Sequence, residues 1–218
     1  MTWCKAGRDL TDNVWRLRTL LSNAVDRLLR SESLVKMVLP ILQRPSPTLI
    51  EPGLYLGTIA HAESREIMAK LNIKHTLSVT SARHRPTIPA GINNKWICLK
   101  DRQCEKIITY FPDACDFIEK ALARQDEIKG NSDLEVQHLQ QQPPAVLIHC
   151  IMGASRSVTL VIAYLMWKHK ITLQEACNFI GSKCFIYPNS GFYMQLRIWE
   201  KSVLSGADMG SGVREIII

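Results

Sequence analysis

Residues 145–166, AVLIHCIMGASRSVTLVIAYLM, leave the chain few ways to fold. Ala145–Ile148 is a short apolar run of strand type, and Ser157–Trp167 is apolar almost all round, which suits a helix buried on every side. Between them, Cys150 to Arg156 spans a tight turn that opens the helix. Free backbone N–H groups and the positive end of the helix dipole favour an anion at such a turn. A thiol placed there has its pKa lowered to roughly 3.5–7.5, so it is a thiolate nucleophile at neutral pH. Arg156 adds a planar fork of donors that matches two phosphate oxygens. The turn reads as a phosphate trap with a nucleophile at its floor.

The Cys–Arg spacing alone is weak. With 7 cysteines in 218 residues, a Cys followed six positions later by Arg is expected by chance about 0.5 times. Its surroundings decide the matter. His149 precedes the cysteine, Gly153 permits close backbone approach, Ser155 and Ser157 flank the arginine, and strand and helix lie on the correct sides. A buried, inert cysteine in an ordinary strand–helix crossover needs neither the Arg nor the Gly. The run HCIMGASRS at 149–157, with AYLM at 163–166, resembles the signature of the dual specificity phosphatases, in the protein tyrosine phosphatase superfamily.

Further anchors occur in order along residues 48–204: IEPGLYLGT at 50–58, LNIKHTLSVT at 71–80, FPDACDFIEKAL at 111–122 and PNSGFYMQL at 188–196. The resemblance implies that family's α/β fold, a central, mostly parallel five-stranded sheet flanked by helices. The local patterns agree. Leu54–Leu56, Thr76–Thr80, Trp96–Leu99 and Ala145–His149 read as strands, and 62–71, 106–124, 156–169, 172–181 and 190–204 as helices. Such alternation argues a largely parallel sheet with helices on both faces. PSP at 45–47 marks a boundary, giving an N-terminal helical extension and linker over 1–47, a catalytic domain over 48–205 and a tail over 206–218. Residues 125–144, with a Gln run and two prolines, read as an inserted polar loop.

Composition narrows the setting. Seven scattered cysteines with no CxxC pair suggest neither a disulfide framework nor a zinc site, and point to a reduced, intracellular chain, in the cytoplasm or nucleus. No apolar run approaches a membrane span, and the N-terminus has no signal-peptide core. A net charge of +7 favours anionic partners such as phosphopeptides, acidic protein surfaces or anionic lipid. No nucleic-acid partner is expected, and nothing here sets the oligomeric state.

The family resemblance assigns roles to individual residues. Cys150 is the nucleophile. Arg156 and the loop amides of Ile151, Met152, Gly153, Ala154, Ser155 and Arg156 hold the phosphate oxygens. Ser157 bonds the cysteine and helps it leave. Asp101, at the end of WICLKD, corresponds to the general acid, whereas Asp113 and Asp116 lie within a predicted helix, a poor place for a mobile acid. His149 orients the loop, and Asn189 bonds its backbone. The scheme requires no metal and no cofactor. Cys184-Phe185 stands where many relatives have Arg-Pro, which puts local support of the loop in question. Cys104 is either a resolving thiol or, more simply, a bystander.

Phosphoinositide-directed relatives tend to carry Lys or Arg at the variable loop positions. Ile151, Met152, Ala154 and Ser155 carry no charge, which favours a phosphoprotein substrate, with a MAP kinase as one such partner. The competing readings are a weakly active phosphate-binding adaptor, a phosphoinositide phosphatase and a sulfur-transfer protein using the same thiolate. Val14, Leu17, Leu21, Val25 and Leu28 fall at helical spacing among arginines. The 9–39 segment therefore reads as a helix docked on the catalytic domain, or a basic amphipathic helix for calmodulin, a kinase docking groove or a membrane surface.

Overall fold

The computed structural model describes residues 44–130 and 143–205. The strand that leads into Cys150 lies at the middle of the sheet, and its position follows from its composition. β1 (Thr48–Glu51), β2 (Leu54–Gly57), β3 (Ile73–Thr80), β4 (Asn93–Cys98) and β5 (Ala145–His149) assemble in the order β1-β2-β5-β3-β4. β1 runs antiparallel to β2, and the other three neighbouring pairs are parallel. All five residues of β5 are buried, as expected of a parallel strand covered on both faces. Side-chain alternation still operates within it: Val146 and Ile148 enter one core, Ala145 and Leu147 the other.

The two cores are unequal. The larger lies beneath α3 (Phe111–Gly130), α4 (Arg156–His169), α5 (Leu173–Gly181) and α6 (Ser190–Leu204); the smaller lies beneath α1 (Ile59–Glu63) and α2 (Arg65–Lys70). Every residue of α4 from Arg156 to Met166 is buried, which accounts for its apolar character all round. Trp199 pins α6 to α4 by donating its indole N–H to the Ala163 carbonyl at 3.0 Å. In β3, a register shift between Ile73 and His75 changes the parity. Ile73 therefore faces the smaller core while Leu77 and Val79 face the larger.

Three local features depart from the sequence expectations. First, β1 joins the sheet through a hairpin whose turn, Glu51-Pro52-Gly53-Leu54, has Gly53 at φ 77°. Proline at the second position and a left-handed glycine at the third suit a type II turn. Second, the helix expected over 62–71 is two short helices. Ser64 takes an extended conformation (φ −84°, ψ 112°) and its hydroxyl accepts the Ile67 N–H at 3.3 Å, starting a new helix rather than continuing the old one. Third, α3 continues to Gly130, so the first six residues of the expected polar loop are helical. The remainder of that loop through Gln142, the 9–39 segment and the 206–218 tail lie outside the described residues.

Because β3, β4 and β5 are parallel, their C-terminal ends share one edge of the sheet. Cys150 follows β5 and Asp101 follows β4 at that edge, where open α/β sheets bind ligands.

Candidate active site

The turn after β5 places three groups around one sulfur atom: the Gly153 N–H, the Ser157 hydroxyl and the Arg156 guanidinium. Cys150 is 1 % exposed. The Gly153 N–H and the Ser157 hydroxyl each donate to its Sγ at 3.2 Å. Burial by itself pushes this thiol up, but the Arg156 charge and the Ser157 hydrogen bonds outweigh it, and the net shift is downward. Cys115, equally buried on α3, shows the alternative. There burial and Glu119 both push the thiol up, well beyond any reactive range. Replacing Ser157 by alanine is expected to raise the Cys150 pKa, shifting the pH dependence of its alkylation by iodoacetamide to higher pH. An unmoved midpoint would show that the hydroxyl does not stabilise the thiolate.

Arg156 is oriented from below. Its Nη1 donates to the Leu99 carbonyl at 3.2 Å, so the chain leaving β4 sets the plane of the guanidinium. Nε is buried and has no hydrogen-bond partner, with Asp101 Oδ2 standing 3.6 Å away. A buried donor left in this condition is costly, and an anionic oxygen is the acceptor that satisfies it. The start of α4 points the same way. Ser155 occupies the N-cap position yet makes no side-chain capping bond, because its hydroxyl donates instead to Asp101 Oδ1 at 2.8 Å. The first helical amides are thereby left to an anion.

Asp101 is held over this loop by two donors. Besides Ser155, the Asn189 side-chain amide donates to Oδ1 at 2.7 Å. Asn189 also receives the Phe192 N–H on its own side-chain oxygen at 3.0 Å, capping α6, and its backbone N–H donates to Ser155 Oγ at 3.3 Å. The sequence expectation that Asn189 bonds the loop backbone is therefore corrected. It bonds a loop side chain and the carboxylate, because capping α6 fixes its side chain facing the site. Asp113 and Asp116 do lie on α3, paired with Lys95 at 3.3 Å and Lys120 at 2.8 Å.

Two buried residues brace the loop. His149 stays neutral at physiological pH, because burial lowers its pKa to about 4. Its Nδ1 lies 3.2 Å from the Cys150 carbonyl and its Nε2 lies 2.6 Å from Ser78 Oγ. Gly153 adopts φ +69°, and a Cβ there would stand 2.5 Å from the Gly57 carbonyl oxygen. Gly153→Ala is expected to cost roughly 1–3 kcal/mol in strain and contact. Thermal denaturation should show a lowered Tm and a phosphate-ester assay at least a tenfold loss; normal values for both would refute the tight-loop account.

The departure at Cys184-Phe185 does not remove the loop's support, since the Tyr187 N–H donates to the Ala154 carbonyl at 2.7 Å. Among the described residues, Cys98, Cys104, Cys115, Cys150 and Cys177 form no disulfide, and Cys104 is exposed. Sequence reasoning missed Leu99, Ser78 and Gly57, and the hydroxyl role of Ser155. Each contact joins segments 54 or more residues apart, and no local spacing signals it.

A cysteine with a lowered pKa, a buried arginine and a carboxylate gathered at the C-terminal edge of a parallel sheet define a cysteine-dependent phosphatase. Comparison with known proteins places it more closely. The family model "Dual specificity phosphatase, catalytic domain" matches residues 133–202. Dual specificity protein phosphatase 1 of Arabidopsis thaliana is 37 % identical over 158 residues, covering 72 % of this chain and 70 % of the relative. Dual specificity protein phosphatase 1B of the same plant is 35 % identical over 159 residues, covering 72 % and 84 %. Among solved structures, the human tyrosine phosphatase-like serine/threonine/tyrosine-interacting protein is similar at TM-score 0.61 and 26 % identity, over 72 % of this chain and 97 % of that one. The chain belongs to the dual specificity phosphatase family and is a cysteine-dependent protein phosphatase.

Proposed function

We propose that the chain hydrolyses phosphotyrosine, phosphoserine and phosphothreonine in protein substrates by two successive displacements at phosphorus. In the first, the Cys150 thiolate attacks in line, the S–P bond forms and the ester P–O bond breaks. Asp101, as the acid, gives its proton to the departing oxygen. Arg156 and the amides of residues 151–156 bear the charge on the three equatorial oxygens. In the second, Asp101 as the base takes a proton from water, the water oxygen bonds to phosphorus, and the S–P bond breaks. Ser157 stabilises the departing thiolate. The observation that carries this reading is the convergence of the Gly153 N–H and the Ser157 hydroxyl on Cys150 Sγ, beside the Arg156 Nε, which lacks a hydrogen-bond acceptor.

The same proposal extends to context. Uncharged side chains at 151, 152, 154 and 155 support phosphoproteins over phosphoinositides, with kinases such as a MAP kinase among the substrates, in the cytoplasm or nucleus. Acid quench during turnover, in chelator, tests the chemistry. Mass spectrometry should find a phosphoryl group on Cys150 and on no other residue. Turnover without that adduct, or turnover abolished by chelator, would contradict the two-step scheme. Phosphopeptide binding without turnover would leave the adaptor reading.

A further inference from the structure

Two aromatic side chains stand on the rim of the phosphate loop and take no part in the chemistry above. Phe185 is 38 % exposed and Tyr187 is 70 % exposed. Their rings are stacked, with 13° between planes and 6.2 Å between centroids. The backbone explains why they face outward. Cys184 and Ile186 pack against the main core, so the alternate residues 185 and 187 are turned to solvent. The position of Tyr187 is tightly set. Its N–H donates to the Ala154 carbonyl within the loop at 2.7 Å, and two residues later Asn189 holds Asp101 at 2.7 Å. The backbone that carries Tyr187 is thus anchored between the anion cradle and the segment that holds the acid, and the Phe185 ring stacks beside that of Tyr187.

We propose that Tyr187, backed by Phe185, is a specificity-determining wall that packs against the phenyl ring of a phosphotyrosine substrate and favours aryl over alkyl phosphate esters. This rests on the reading of the loop as the phosphate site. A phosphate seated on residues 151–156 forces the ester group out past the rim where Tyr187 stands. The ring of phosphotyrosine offers a face there, whereas the side chain of phosphothreonine ends in a methyl group close to the phosphate. A tyrosine has only two side-chain torsions to restrict, so ordering it against a ligand ring costs little entropy. Aromatic pairs of this kind are worth about three- to tenfold in affinity beyond the area they cover.

The test uses one peptide sequence carrying either phosphotyrosine or phosphothreonine. Binding is measured by fluorescence anisotropy on the full chain in a Cys150→Ser background, and turnover in the Cys150 background. Tyr187→Ser and Phe185→Ala are expected to lower the phosphotyrosine-to-phosphothreonine affinity ratio by about three- to tenfold for the former and less for the latter. Tyr187→Phe should preserve the ratio, and so should Leu204→Ala, an exposed apolar residue at the far end of α6. Equal melting temperatures verify the folds. An unchanged ratio in both Tyr187→Ser and Phe185→Ala overturns the wall. Absence of turnover in the Cys150 protein overturns the phosphatase reading instead, and the binding ratio still decides for or against the wall.

Discussion

Cys150→Ser is expected to reduce turnover of an aryl phosphate on the order of 10⁵-fold while phosphopeptide binding survives. The hydroxyl of serine ionises far less readily than a thiol, and neither Arg156 nor Ser157 can make it an oxyanion at neutral pH. The loop geometry should persist, because the replacement is nearly isosteric and the donors of Gly153 and Ser157 still find an acceptor. Steady-state kinetics with p-nitrophenyl phosphate, paired with a phosphopeptide binding isotherm, reads both halves. Residual turnover within tenfold of the parent protein would remove Cys150 from the mechanism. Loss of binding together with turnover would mean instead that the substitution dismantles the loop.

The second large effect concerns Asp101, and its sign with pH is defined. The first displacement needs a protonated acid, so the rate falls as pH rises through the ionisation of that acid in the enzyme–substrate complex. Asparagine keeps the hydrogen-bond acceptor that Ser155 and Asn189 engage on this side chain, but it has no proton to lose. Asp101→Asn should therefore lower the maximal rate by about 10²–10⁴ and abolish the fall on the alkaline side. The loss should be smaller for p-nitrophenyl phosphate, whose leaving oxygen needs little help, than for a phosphothreonine peptide, whose alkoxide needs a proton. A pH–rate profile from 5 to 8 with both substrates separates the outcomes. Equal losses on both, with the alkaline fall intact, would move the acid role to another residue.

The adaptor and sulfur-transfer readings lose ground for a physical reason. An adaptor needs the cradle but not a separate carboxylate held over it by two donors. A sulfur-transfer site needs the thiolate but not that acid. Ser155 illustrates the point: at the start of a buried helix its usual work is capping, yet its hydroxyl is turned to Asp101.

Local order made much of the molecule readable in advance. A strand, a turn and a helix contiguous in the chain, 145–166, declared the cradle, because every group that makes it lies within a few residues of the next. The strand cores, the burial of α4 and the nucleophile–arginine pair followed from composition and period alone. Where two segments compete for one residue, local reading failed. Ser64 serves as a cap rather than a helix interior. Residues 125–130 extend α3, since polar composition does not tell a helix from a loop. The expected bond from Asn189 to the loop backbone gives way to bonds with Ser155 and Asp101, because capping α6 decides which way its side chain turns.

By itself the sequence determined that a thiolate would sit at a helix start with an arginine six residues on, since that relation is local and the helix geometry enforces it. Only the tertiary structure decided how the arginine is aimed and where the acid waits. The Leu99 carbonyl, the Ser155 hydroxyl and the Asn189 amide meet there from three separate segments. Such meetings depend on sheet order β2-β5-β3-β4 bringing chain ends to one edge, and strand order is settled by packing across the whole core rather than by any pattern along the chain.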